Sequence, residues 1–247
     1  MTLRIDAKNM HYTPLNQQIK AAVADGVKEI VLDNVLGQRF IADGLRGDDV
    51  RIVINGVPGG DLAMLMNGPT CIVHGNGEHA PGNTMNSGLL VIHGSAGDAV
   101  AHGMRGGKVY IRNNIGYRGG IHMKQYDLDA RPVLVIGGTA HSFLGEYMAG
   151  GLVLVLGIGL EKSMTDRGIG SGIHGGEIII RGEVEDHLLG VGAKKFEFTE
   201  ADLERIKPEI EGFCARFGLD PTEFLDTNYT RIAPSSSRPF AGKYVWE

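Results

Sequence analysis

The chain has 247 residues and a formal net charge of −5; that is enough length for a sizeable core in one or two domains and gives no electrostatic support to a nucleic-acid role. Glycine supplies 38 residues and aromatics only 6%, a glycine share about twice the usual one, which suits tight corners and a small cross-section; no Gly-X-Y period is present, so collagen is excluded. Cys71 and Cys214 form no C-x-x-C pair, so no zinc or iron–sulfur site is encoded here, and with no apolar leader in MTLRIDAKNM and no membrane-length apolar run a soluble, cytoplasmic protein is expected.

Residues 1–28 read as a helical N-terminal cap. Thr13 is the expected N-cap and Pro14 sits in the first turn, with Leu15, Ile19, Ala22 and Val23 at helical spacing and Gly26 as the stop. Lys28–Asp33 opens the first strand run.

A hydrophobic-glycine unit then recurs over 29–193. Aliphatic anchors fall at Leu32, Ile54, Val73, Ile92, Ile111, Ile136, Leu156 and Ile180, with intervals of 22, 19, 19, 19, 25, 20 and 24. Met66, Met85, Met104 and Met123 each follow their anchor by 12 residues. A fixed period near 20 with short β-branched runs marks a solenoid. It is too short for a strand, a helix and two turns, since a βαβ unit needs about 30 residues. Each unit is expected to hold two short extended pieces, one ending at the anchor and one running through the methionine. Stacked coils would pair in parallel at ~4.8 Å per rung, with anchors and methionines lining the interior and glycines such as Gly107 and Gly151 at φ > 0 corners. The long intervals place insertions at about Lys124–Arg131 and Glu161–Arg167, at different corners of the coil, where loops and partners meet.

From 194 to 247 the composition changes. Thr199-Glu200-Ala201-Asp202 resembles a capping box, and Leu203, Ile206, Ile210, Phe213, Cys214 and Phe217 follow at helical spacing. Pro208 is expected to kink this helix or start a second one, and Asp220-Pro221-Thr222-Glu223 offers another start. Ala233–Glu247, with Pro239, Tyr244 and Trp246, reads as an extended tail along the rod or toward a partner. The fold class is therefore all-β: a single-stranded, right-handed parallel β-helix of about seven rungs with short helical flanks that cap its ends.

Three stretches carry a family resemblance: Gly75-Asn76-Gly77 to His93-Gly94-Ser95-Ala96-Gly97-Asp98; Met104-Arg105-Gly106-Gly107; and Gly116-Tyr117-Arg118-Gly119-Gly120-Ile121-His122-Met123-Lys124 with Gly137-Gly138-Thr139-Ala140 and Phe143-Leu144-Gly145-Glu146-Tyr147-Met148-Ala149-Gly150-Gly151. Together they resemble the glycine-rich GXGXG domain at the C-terminal end of the glutamate synthase large subunit, and more closely its stand-alone version, over about residues 30–190. The β-helical component of formylmethanofuran dehydrogenase is a more distant likeness. The resemblance implies a scaffold that binds no cofactor itself. Its partners would be a class II glutamine amidotransferase subunit and a synthase partner that holds FMN and an iron–sulfur cluster. The assembly would make glutamate from glutamine and 2-oxoglutarate, or act on a related acceptor, since relatives also form N-methylglutamate. This chain has no N-terminal cysteine nucleophile, no cluster cysteines and no room for a flavin barrel.

The chemistry candidates are few. His74 and His93, 19 residues apart, should stack on adjacent rungs about 5 Å apart, a turn ladder rather than a metal site because Arg112 comes next. Gly168-Ile169-Gly170-Ser171-Gly172 looks like a phosphate loop but leads into a strand with no Lys-Ser/Thr behind it. Arg118, His122, Lys124, His141 and Glu146 are the polar members of the most distinctive strings. They form no nucleophile–base–orienter set from spacing alone and read as a salt-bridged corner or an inter-subunit contact. No catalytic, metal or membrane-binding residues are assigned. Alternatives that stay open are a member of a formyl-transferring or dehydrogenase complex, a free-standing enzyme with a groove between rod and C-terminal helix, and self-association of the repeat surface.

Overall fold

The computed structural model describes residues 2–127, 129–159 and 165–236. It is a parallel β-solenoid. Eight strands stack in parallel and in chain order: β2 (Glu29–Leu36), β3 (Arg51–Val57), β4 (Asn67–His74), β5 (Ser87–Ile92), β6 (Lys108–Ile111), β7 (Val133–Ile136), β8 (Ala149–Val155) and β9 (Gly175–Arg181). β1 (Thr2–Asp6) pairs in parallel with β2, so the sheet begins inside the segment read as a helical cap. At the other end β11 (Tyr229–Pro234) runs antiparallel between β9 and β10 (Ala193–Phe196), completing an 11-stranded sheet.

Register confirms the anchors with one correction. Leu32, Ile54, Val73, Ile92 and Ile111 pair in sequence, and Ile111 meets Ile136. Ile136 then pairs with Val155, not Leu156, and Val155 with Ile180. The last intervals are therefore 19 and 25 residues. Strand alternation is the reason. Val153 and Val155 point into the coil, while Leu152, Leu154 and Leu156 point outward and are buried beneath the C-terminal helix. In so apolar a run hydrophobicity cannot tell the two faces apart.

The methionine ladder is interior: Met66, Met85, Met104, Met123 and Met148 are all fully buried, and Ile173 takes the same place in the last coil. Burial of each such side chain contributes about 1.5–3 kcal/mol, and the unbranched thioether fills a narrow irregular core. The second extended piece of each unit is not a strand. Its backbone turns tightly instead, with i→i+3 bonds such as Met104 N to Ala101 O and Met123 N to Gly120 O; a few isolated parallel bridges, Ile115–Ala140 and Ala140–Thr165 among them, are all the ladder that side has among the described residues.

One helix closes the first end and others cover one face. α1 (Tyr12–Ala24) buries Leu15, Ile19 and Ala22 over the first coil. Its N-cap is His11, whose Nδ1 accepts from the Thr13 amide at 3.2 Å, rather than Thr13 itself. Gly26 lies beyond its end in the left-handed region at φ 84°. α2 (Glu200–Phe217) has the capping box of Thr199 and Asp202, runs unbroken through Pro208, and ends on Gly218 at φ 65°. It lays Ile206, Ile210, Phe213 and Cys214 on the outer sheet face formed by Tyr110, Val135, Leu154 and Ile179, a second apolar cluster outside the coil. Burial on this face outweighs the helix bond lost at proline. α3 (Thr222–Leu225) follows, with Phe224 buried. Val184 and Ile232 close the C-terminal end of the interior. The tail residues Pro239, Tyr244 and Trp246, and residues 160–164 of the second insertion, lie outside the described residues.

Candidate functional site

The polar candidates are positioned by a backbone pattern repeated in seven coils. Residues 40, 42 and 44 have φ > 0, as do 61, 63 and 65; 80, 82 and 84; 99, 101 and 103; 118, 120 and 122; 143, 145 and 147; and 168, 170 and 172. The middle member faces the core and is always Ala or Gly. At Gly145 an added Cβ would lie 2.5 Å from Ile178 Cδ1. The first and third members face outward. A left-handed residue other than glycine costs about 1–2 kcal/mol, offset here by bonds to the next coil. Arg118 N donates to Ser142 O at 3.0 Å, His122 N to Glu146 O at 2.9 Å, and Tyr147 N to Ser171 O at 2.8 Å.

Two outward columns result. One runs Ala80, Ala99, Arg118, Phe143, Gly168 and the other Thr84, Gly103, His122, Tyr147, Gly172. Arg118 bonds Glu146 at 2.9 Å and lies over the Phe143 ring; the Glu146 carboxylate is mostly covered whereas Arg118 stays half exposed. His122 stacks on Tyr147 at 5.4 Å and 12°, with His102 beside it at 5.9 Å. Burial first, and then the neighbouring His122, push the His102 imidazole below its ordinary pKa. His141 stacks on Tyr117 at 5.0 Å and 17°. Lys124 is exposed at the foot of the first insertion, one coil beyond Arg105, and joins none of these pairs. Four of the five candidates thus sit in paired contacts on one face. Tyr117 and Tyr147 on that face are exposed by 48% and 43%, and Tyr126 in the insertion by 85%; aromatic side chains are enriched at protein interfaces relative to other surface.

The expected glycine loop at 168–172 is the one coil among the seven with glycine at all three left-handed positions. It leads into β9, not a helix, so it lacks the helix N-terminus on which a phosphate loop holds its anion. His74 and His93 lie on adjacent rungs with their rings 4.7 Å apart and tilted by 39°, and Phe217 of α2 is edge-on to His93 at 5.1 Å. Burial, and secondarily His74, lower the His93 pKa. Among the described residues no group of three or more His, Cys, Asp or Glu side chains is placed to hold a metal. Both cysteines are buried and free, and burial pushes the Cys71 thiol up to about 12 and Cys214 to about 11, so neither is a ready nucleophile.

Sequence reasoning missed a second polar centre. Glu177 on β9 is 5% exposed and accepts from Arg131 of the insertion, Arg205 of α2 and Arg231 of β11. Asp202 accepts from Arg205 Nη2 at 2.5 Å. Burial raises the Glu177 pKa, but the Arg205 and Arg131 guanidiniums outweigh it and hold the carboxyl below its ordinary value. The only signal in the sequence is a carboxylate inside Gly-Gly-Glu-Ile-Ile-Ile, where a buried charge needs partners.

Fold and face together define a parallel β-helix protein whose coils are set by alternating left-handed residues. The GXGXG motif family model matches residues 10–236, and the chain belongs to that family. It is also 56% identical to an uncharacterized protein of Methanocaldococcus jannaschii, over 98% of this chain and 95% of that one.

Proposed function

We propose that this chain is a non-catalytic scaffold subunit of a glutamate synthase-like complex, holding an amidotransferase subunit and an FMN/iron–sulfur subunit in register in the cytoplasm. The observation that carries the reading is the left-handed face, where exposed Tyr117 and Tyr147 and the half-exposed Arg118 stand on a rigid, repeated backbone, with Tyr126 exposed on the insertion that follows. Membership of the GXGXG family supports the choice of complex. The physical demand is that ammonia released at one site reaches another without escaping to water, which requires fixed alignment. A rod whose successive coils are tied by both strand ladders and turn bonds supplies it.

Affinity capture of the tagged chain from its native host, with mass spectrometry of the eluate, tests this reading. Recovery of an amidotransferase and a flavin/iron–sulfur protein supports it. Recovery of formyl-transferring or molybdenum- or tungsten-type dehydrogenase subunits replaces it with the formylmethanofuran-type assembly.

A further inference from the structure

We propose that the cleft beside Glu177 is an anion site for a small carboxylate or phosphate. The inference is independent of the scaffold reading and rests on the charge and geometry of this cluster. Arg131, Arg205 and Arg231 converge on Glu177 and Asp202, three cations against two anions. The described bonds engage Arg131 through Nη2 and Arg231 through Nε, so N–H groups remain on both forks for another acceptor. These residues line a cleft of about 450 Å³ floored by Gly151 and Gly176, and the three arginine side chains are 29%, 37% and 32% exposed, so the site is open to solute. The first turns of α2 border it through Asp202 and Arg205, which adds positive potential.

A guanidinium fork matches a planar carboxylate or a phosphate edge with two parallel bonds. A third anion would balance the cluster and relieve repulsion among three guanidiniums that share two carboxylates. The cleft is small on the scale of ligand sites, about 300–1,000 Å³, which favours a small acid over a nucleotide. Its walls come from the insertion, β9, α2 and β11, so a bound anion would also tie the C-terminal segment to the solenoid.

The test is isothermal titration of the full chain with inorganic phosphate and, separately, with succinate, at constant ionic strength in chloride. One saturable site for either anion is expected, weakened at least about 10-fold by Arg131→Lys or Arg231→Lys, which keep the charge but lose the fork. Phosphate alone or succinate alone then identifies the ligand class. No saturable heat with either anion, or binding that both variants leave unchanged, overturns the proposal. Should the variants fail to fold, phenylglyoxal labelling of the native chain decides. Protection of Arg131 and Arg231 by the anion, with exposed Arg4 and Arg51 unprotected, supports the site; equal labelling with and without anion overturns it.

Discussion

The ring of Tyr147 lies against the backbone of Gly172 so closely that a Cβ there would sit 2.6 Å from the ring. Gly172 also has φ 68°. Tyr147 in turn carries His122 on its far side, so a bare backbone seats a two-ring stack. Gly168 does the same for Phe143, at 2.8 Å, beside Arg118. Glycine at the ends of the motif therefore shapes the outer face as well as the turn. Gly172→Ala should cost about 1–3 kcal/mol, from left-handed strain and displacement of the ring. Urea unfolding checks it, and an unchanged midpoint would detach Tyr147 from this seat.

Gly107 and Gly151 occupy corners at φ 81° and 95°. A Cβ at Gly107 would meet Gly88 O and Met85 Cε, both at 2.8 Å. Gly107→Val or Gly151→Val should therefore lower stability by at least ~2 kcal/mol, since a β-branched residue combines left-handed strain with backbone collision. Thermal melts of the two variants matching the native chain would contradict the corner geometry.

Met104 is fully buried in the interior ladder. Met104→Ala should cost about 2–5 kcal/mol as a core cavity. A loss below about 0.5 kcal/mol, the size of an ordinary surface change, would mean that the ladder is not packed.

Asp202 has its carboxyl held down to about 2; burial opposes this, but bonds from Thr199 and Arg205 outweigh it. A carboxylate depressed in the folded state stabilises above its unfolded pKa and loses that contribution as pH falls through the folded value. The contribution is thus complete above about pH 4 and is lost between there and about pH 2. Asp202→Asn should flatten the melting temperature over that window while leaving its slope near neutrality unchanged. Glu177→Ala should cost about 2–3 kcal/mol at neutral pH, below the ~3–5 of a fully buried broken pair because its arginines are partly solvated.

The insertion at 124–131 projects Tyr126 and Lys124 into solvent while Arg131 is pinned to Glu177. Lys124→Glu with Tyr126→Ala should leave the melting temperature unchanged and reduce partner recovery in affinity capture. Full recovery would place the contact elsewhere.

Much of this architecture is legible in the sequence because periodicity survives wherever a side chain has one job. Met85 and Met104 keep their beat since each fills the same interior slot in its coil. Periodicity misplaces the seventh anchor by one residue, at Leu156 instead of Val155, because both faces of β8 are apolar, one against the core and one beneath α2. The segment through the methionines reads as extended but is a run of alternating left-handed residues. Arg118, Phe143 and Tyr147 disguise it, since they hold φ > 0 through bonds to the next coil rather than through glycine. Arg118 and Glu146 stand out in the sequence as polar members of distinctive strings, and they do pair. The Glu177 cluster draws partners from as far as 46 residues before Glu177 and 54 after it and follows no repeat, so no spacing reveals it.

The most direct test of the central claim is side-by-side affinity capture, from the native host, of the tagged chain and a Tyr117→Ala/Tyr126→Ala/Tyr147→Ala variant, with mass spectrometry and a flavin absorbance scan of each eluate. A scaffold that docks through the left-handed face and the adjoining insertion should bring down an amidotransferase and a yellow-brown flavin protein as native chain and lose them as the folded variant. A colourless native eluate without partners, or identical partners on both, would contradict it.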